Sequence, residues 1–347
     1  MKHAKIVNVP SPGLGYHVGM STHRDTFKSH AGIEVPLICG PMFPCSNPEL
    51  VAAVSEAGGL GMVQPITLTQ VCDYGFRDGL RRIRELTDKP IGMNLLLEQS
   101  FRRYQERMDA WIDIALEEGV RFFLTALGHP RLVTDRIHAA GGVVYHDVTG
   151  AGFARKAAEA GVDGLVCVND HAGGHAGRRS RERLMEEMGG LGLPLICAGG
   201  IGAPADFRAA LDLGYAGVQC GTRFIATEEC EVHEDYRRAI IAARADDIVM
   251  TEKISGVPVS VIDSPSVRRL GLKAGGLAKR LLRNPRTKHW MRSWYLMRSL
   301  KRLPGAARGG TAYDGFFQAG KSVGGVHEVL PAGEVVRRFA AALEDGA

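Results

Sequence analysis

Two histidines stand four residues apart where an apolar run breaks into glycine, in Val166-Cys167-Val168-Asn169-Asp170-His171-Ala172-Gly173-Gly174-His175-Ala176-Gly177. A β-branched run that empties into a polar, glycine-rich segment is the pattern of a buried parallel strand leading into a ligand loop. Glycine lets the backbone turn tightly and approach a flat or anionic ligand. His175 is placed to move a proton near neutral pH. The strand-into-glycine pattern recurs in Cys197-Ala198-Gly199-Gly200-Ile201-Gly202 and again in Val218-Gln219-Cys220-Gly221-Thr222-Arg223-Phe224. Three such loops in series point to a phosphorylated ligand lying across the ends of parallel strands. By spacing, His171 and His175 could pair on a metal, but Gly173-Gly174 disfavours a helix there and no third ligand stands out, so no metal is expected.

These loops need a scaffold, and the chain repeats one. Strand-like runs fall at 36–42, 60–64, 90–97, 120–127, 143–148, 164–169, 193–198 and 216–220. Amphipathic stretches lie between them, for example at 47–57, 104–118, 153–160 and 205–213. Several end in glycine just before the next strand, at Gly58, Gly119, Gly141, Gly161 and Gly214, as left-handed helix caps do. Eight such steps predict an α/β fold, a (β/α)8 TIM barrel, rather than an open doubly wound sheet. The glycine-rich segments then fall at the strand C-termini, where barrels carry their sites.

The last amphipathic helix, at 333–343, begins about a hundred residues after the eighth strand, too far for a simple loop. The expected organisation is an N-terminal extension at 1–32, a barrel from 33–227 and 313–347, and a mostly helical lid inserted at 228–312. Residues 268–308 hold 13 Lys or Arg and no Asp or Glu, together with Trp290, Trp294 and Tyr295. The plain reading of this run is a solvated helical face packed on the barrel. An anionic substrate such as a CoA thioester, an acidic membrane surface or nucleic acid are the alternatives.

Composition bounds the rest. Hydrophobic residues make up 45% and charged residues 23% of the 347, which predicts a substantial core. A net charge of +5 is too mild to imply nucleic acid. No apolar run is long enough for a membrane span, the N-terminus lacks the core of a signal peptide, and a cytoplasmic protein is the default expectation. The seven cysteines form no C-x-x-C pair; Cys39, Cys167, Cys197 and Cys220 read as buried, reduced hydrophobes.

Loops after the seventh and eighth strands of such barrels often hold phosphate on backbone N–H groups. Gly199-Gly200 and Gly221-Thr222 occupy those loops, and Pro204 and Asp206 open the following helix as a first-turn proline and acid should. Tight turns alone would also use these glycines, but their joint placement favours phosphate. The Gly-x-Gly-x-x-Gly fingerprint of dinucleotide folds is not clearly present, which argues for a mononucleotide such as FMN.

At this point the chain resembles the nitronate monooxygenase family, formerly called 2-nitropropane dioxygenases. The resemblance rests on Gly40-Pro41-Met42, Glu56-Ala57-Gly58-Gly59-Leu60-Gly61, Gly92-Met93-Asn94-Leu95, Ala172-Gly173-Gly174-His175, Ala198-Gly199-Gly200-Ile201, Gly221-Thr222-Arg223-Phe224 and Gln318-Ala319-Gly320-Lys321-Ser322. It implies an FMN-binding barrel that oxidises alkyl nitronates, such as propionate 3-nitronate, with O2 to a carbonyl compound and nitrite. On that likeness Pro41, Met42 and Asn94 line the flavin, Gly174, Gly199, Gly200, Gly221 and Thr222 hold its phosphate arm, and Gln318 and Gly320 complete the cofactor site. His175 matches the family's catalytic histidine, as base toward a nitroalkane or as donor to nitronate oxygens; a buried structural histidine is the plainer alternative. His171 and Lys321 are read as substrate-facing. His146, ending the fifth strand, is expected near the flavin ring, where it would stabilise negative charge, with a packed strand-end histidine as the alternative. The scaffold is shared with flavin enoyl-ACP or enoyl-CoA reductases and NAD(P)H:quinone reductases, and a flavin-binding module without turnover is a further reading. Partners are then a small-molecule substrate and O2, with a homodimer left open.

Overall fold

The computed structural model describes residues 15–97, 102–253, 258–273 and 316–344. Eight parallel strands close into a barrel in chain order. They are β1 Leu37–Cys39, β2 Leu60–Val63, β3 Ile91–Leu96, β4 Phe122–Ala126, β5 Val143–Val148, β6 Gly164–Val168, β7 Leu195–Ala198 and β8 Gly217–Cys220. β8 returns to β1 with Ile38 opposite Gln219, which closes the ring and leaves no free edge. Each strand-like run of the sequence holds one of these strands, trimmed where the chain leaves the ladder.

The barrel is jacketed by α2 Pro48–Glu56, α3 Phe76–Leu86, α4 Arg102–Glu117, α5 Arg131–Ala139, α6 Ala151–Glu159, α7 Arg181–Met188 and α8 Pro204–Asp212. Glycines 58, 119, 141, 161 and 214, which follow α2, α4, α5, α6 and α8, all take positive φ, from +73° to +106°. That conformation ends a helix at little cost only for glycine. The last helix of the chain, Ala332–Glu344, packs between α8 and α2 and completes the jacket, with Phe339 and Phe207 rings 5.5 Å apart.

The base of the barrel is sealed by the chain's first described helix, α1 Gly15–Ala31. Phe27 is fully buried in the lumenal cluster, 5.8 Å from the Tyr145 ring and 6.3 Å from that of Phe122. The plug fits because β8 has no side chain at Gly217, where a Cβ would come within 2.6 Å of the Phe27 ring. His30 Nδ1 lies 3.2 Å from the Tyr145 hydroxyl and ties the helix to the lumen. Part of the segment expected as an extension thus fills the barrel itself; residues 1–14 lie outside the described residues.

Between β8 and the last helix come α9 Thr222–Ile225, α10 Glu234–Ala242 and α11 Pro265–Leu270. An antiparallel pair, β9 Ile248–Thr251 and β10 Val259–Ile262, joins the helices expected there. Val259, Ser260, Val261 and Ile262 are all buried, so this short β-branched run is held by packing rather than by strand length. Residues 274–308 of the basic run, with Trp290, Trp294 and Tyr295, lie outside the described residues.

Phe27→Ala should cost about 3–5 kcal/mol, the usual penalty for emptying a buried aromatic site. Urea denaturation checks this, and a loss below about 1 kcal/mol would show that α1 does not seal the barrel.

Candidate active site

Successive residues of a strand point to opposite faces. Here Ile38, Met62, Leu124, Tyr145, Val166 and Ile196 fill the lumen, while Cys39, Val63, Met93, Phe123, Val144 and Leu165 face the helices. Carried to the strand C-termini, the same alternation turns Leu96, Ala126, Asp147, Val168 and Gln219 inward. These five keep partial exposure at the ends of strands that are otherwise buried there. They floor an open mouth, with Asn94 one layer deeper and 4% exposed.

His146 is not on that floor. It pairs with Thr125 on one side and Leu165 on the other, and both face the helices. Its Nδ1 is 2.8 Å from Thr125 Oγ1. Thr125 gives its own proton to the Tyr145 carbonyl at 3.0 Å, so Nδ1 must be the donor. Burial, followed by the neighbouring His129, pushes the ring down to about 4, which leaves it neutral. His146 thus takes the place of a packed strand-end histidine on the helix side, and the two-residue period gives the mouth face to Asp147, which pairs with lumenal Val166. Asp147 was not singled out from the sequence, although the alternation of Tyr145 and Asp147 about His146 carried the signal. Burial pushes its carboxyl up to about 7. Asp147 Oδ1 and Gln219 Oε1 are buried without a hydrogen-bond partner among the described residues.

Above the floor, one buried side chain that the sequence reading passed over joins two glycine loops. Asn169, 1% exposed, donates from Nδ2 to the Gly199 carbonyl at 2.9 Å and accepts from the His171 amide at 2.9 Å. Gly199 takes φ +114°, and a Cβ there would lie 2.3 Å from Asn169 Oδ1. At Gly200, φ is +76° and a Cβ would meet His171 at 3.1 Å. Beside this loop, Gly221 lies against Met42, whose Sδ would be 3.4 Å from a Cβ. Thr222 Oγ1 accepts from the Gly320 amide at 3.0 Å. The amides of Gly202 and Ala203, at the start of α8, are already taken by Asp206 Oδ2 at 3.0 and 2.9 Å. An anion would be left to Gly199-Gly200 and to Gly221-Thr222, where the first amides of α9 have no helical acceptor.

The rim is stitched by β10. Ser260 N donates to Gly174 O at 2.8 Å, and Val261 bridges Gln318. Gln318 Oε1 would be 3.8 Å from a Cβ on Gly174. The Lys321 amide donates to the His171 carbonyl at 2.9 Å. His171 and His175 are both exposed at this rim, and Pro41 and Met42, on the loop after β1, are half-buried. Gly174, His171, Gly200, Gln318, Gly320, Lys321, Thr222, Gly221 and Met42 are thus drawn to one end of the barrel, with Asn94 below them.

Arg223 turns away from the mouth and spends Nη2 on the carbonyls of Ala226 and Glu328 at 2.9 and 3.0 Å. The buried cysteines are poor nucleophiles. Burial pushes the Cys197 thiol up to about 12 and raises Cys39, Cys167 and Cys220 as well.

A closed parallel barrel with glycine turns at its C-terminal mouth and an acid and an amide in the floor beneath them is an architecture in which barrel enzymes place their sites. The nitronate monooxygenase family profile matches residues 24–341, and the chain belongs to that family of flavin oxidoreductases. It is 32% identical to the nitronate monooxygenase of Pseudomonas aeruginosa, over 67% of this chain and 78% of that one. It is 30% identical to (3aS,4S,5R,7aS)-5-hydroxy-7a-methyl-1-oxo-octahydro-1H-indene-4-carboxyl-CoA dehydrogenase of Rhodococcus jostii, over 72% of this chain and 69% of that one. Among solved structures, FabK from Thermotoga maritima superposes with a TM-score of 0.74 at 28% identity, covering 92% of this chain and 96% of that one. The residues at the mouth fit a flavin: the Gly199-Gly200 turn, held at positive φ, and the start of α9 offer backbone amides to a phosphate arm, and the Asn94 and Gln219 amides, with Gln219 Oε1 unpartnered among the described residues, suit a polar heteroaromatic ring.

Because the folded carboxyl of Asp147 titrates above its unfolded value of 3.8, folding favours the protonated form. Its benefit is full below pH 3.8 and is lost as pH rises to about 7. Flavin-free Asp147→Asn should therefore gain Tm relative to the parent between pH 4 and pH 7.5. A gap that stays constant across this range would mean that the carboxyl is already ionised in the fold.

Proposed function

We propose that the protein is an FMN-dependent oxidoreductase that oxidises alkyl nitronates with O2 to a carbonyl compound and nitrite. The observation that carries this reading is the placement of His175. It is exposed at the rim, directly after Gly174, whose carbonyl is fixed by Ser260 at 2.8 Å. A histidine so placed serves as base toward the acidic carbon of a nitroalkane, or as donor to the oxygens of a nitronate. FMN rather than FAD is supported by one anion cradle among the described residues, at Gly199-Gly200 and Gly221-Thr222. When bound, the flavin supplies the redox chemistry. The chain's own part is to bind the phosphate on backbone amides, to present Asn94 and Gln219 to the ring, and to set His175, with His171 and Lys321, beside the substrate.

A second reading, redox chemistry on a CoA thioester, is favoured by the Rhodococcus relative, whose name specifies a carboxyl-CoA, and by the 13 cations of 268–308. Anaerobic mixing separates the two. Propionate 3-nitronate should bleach the flavin, and NADH or NADPH should not. Bleaching by a nicotinamide alone, with saturable CoA-ester binding that weakens steeply with salt, would move the thioester reading to first place.

Denaturation should release FMN, and Gly200→Val should lower flavin content, because a side chain at φ +76° is strained and would crowd His171, 3.1 Å from a Cβ, and so displace the turn. Full flavin content in that variant would locate the cofactor elsewhere. His175→Asn should keep flavin but lose about 10²–10⁴-fold in turnover of neutral nitroalkanes, and less with preformed nitronates, which need no base. Steady-state rates on both forms check this; equal losses would make His175 an anion-binding group instead.

A further inference from the structure

The five residues of the floor divide into three apolar ones, one amide and one acid. Leu96, Ala126 and Val168 carry no titratable group, and Gln219 is neutral. Asp147 is the ionisable member, and its Oδ1 is buried with no partner among the described residues. A carboxyl is expensive to hold in such a place, and apolar residues would satisfy the packing at lower cost. Its position is fixed by register: Tyr145 lies one layer below, opposite Gly164, and Asp147 lies opposite Val166. Among the described residues no cation neutralises it from the packed elements. On β5 itself, His146 faces the other way, bonded to Thr125. On β6 the nearest titratable group is the Cys167 thiol, which faces the helices. Above β5, Arg179 is committed to Glu187 and to the Thr149 carbonyl, at 3.0 and 3.2 Å. Across the mouth, His171, His175 and Lys321 belong to the rim loops. Below, Tyr145 bonds His30 toward the base.

We propose that Asp147 is a catalytic residue that contacts the flavin ring from the floor of the mouth and takes up a proton when the ring is reduced. The proposal rests on the flavin reading above and deepens it. Reduction of a bound ring by two electrons from the substrate, with one proton taken up by the ring itself, would leave one net negative charge on it. The Asp147 carboxylate accepts one proton from solvent, forming one O–H bond, and no protein bond breaks. The charge beneath the ring is thereby removed as charge on the ring appears, so two like charges are never held together in a low-dielectric cavity. Ring binding covers the mouth and strengthens the desolvation that already pushes this carboxyl up to about 7. The carboxyl is therefore poised to change its protonation between the oxidised and reduced states at and above neutral pH.

The test is spectroelectrochemical titration of the FMN-loaded protein from pH 6 to 9. A proton taken up with two electrons makes the midpoint potential fall by about 30 mV more per pH unit, the tenfold step of a two-electron couple. The parent protein should show this extra slope above pH 7, Asp147→Glu should retain it and Asp147→Asn should lose it. Equal slopes for the parent and Asp147→Asn would overturn the proposal while leaving the flavin reading intact. A parent protein that binds no flavin would overturn both. If Asp147→Asn fails to take up flavin, reduced-minus-oxidised infrared spectra of the parent at pH 8 decide the matter. A new protonated-carboxyl C=O band supports the proposal, and its absence overturns it.

Discussion

Closure of eight short strands into one ring forces every second side chain into a shared lumen, and everything at the mouth follows from that. The lumen has to be filled, so Ile38, Met62, Leu124, Tyr145, Val166 and Ile196 pack against one another. At the base Phe27 of α1 supplies the last large group. At the top none of the described residues fills it, and the inward positions become the floor of a cavity. A shift of one residue in any strand would exchange lumenal and helix-facing sets, a change that would bury polar groups and expose core. The floor is therefore as well specified as the core beneath it.

The loops above the floor are held by buried polar contacts rather than by apolar packing. Asn169 bonds the β7 loop with its amide nitrogen and its own loop with its amide oxygen. Both glycine turns are thus fixed with respect to each other before any ligand arrives, which lowers the ordering cost of binding. The insertion after β8 adds a second clamp, because β10 bridges Gly174 on one side and Gln318 on the other. His175 follows directly on the clamped Gly174, so its backbone is set by β10 as well as by the barrel.

Charge is distributed unequally between floor and rim. The rim carries His171, His175 and Lys321, with Asp170 3.9 Å from His171, and the five floor residues include one acid, Asp147. A ligand lying between them would meet donors above and an acceptor that is protonated below about pH 7. Such vertical separation suits a reaction in which an anionic substrate arrives from the rim side and charge accumulates toward the floor.

The sequence by itself determined the barrel. Strand-like runs capped by glycines at 58, 119, 141, 161 and 214 encode parallel β and helix ends through local conformational preference, and local preference is readable along a chain. The glycine loops at 173–174, 199–200 and 221 were readable for the same reason. Tertiary structure decided which side chain of β5 faces the mouth. His146 drew attention by residue type, but the face it occupies depends on the strand's register with β4 and β6. Register is set by pairing between residues 19 or more positions apart in the chain. The bridging of Gly174 and Gln318 by Ser260 and Val261, and the latch made by Asn169, likewise join segments distant in sequence. Each depends on hydrogen-bond geometry that exists only once the ring has closed.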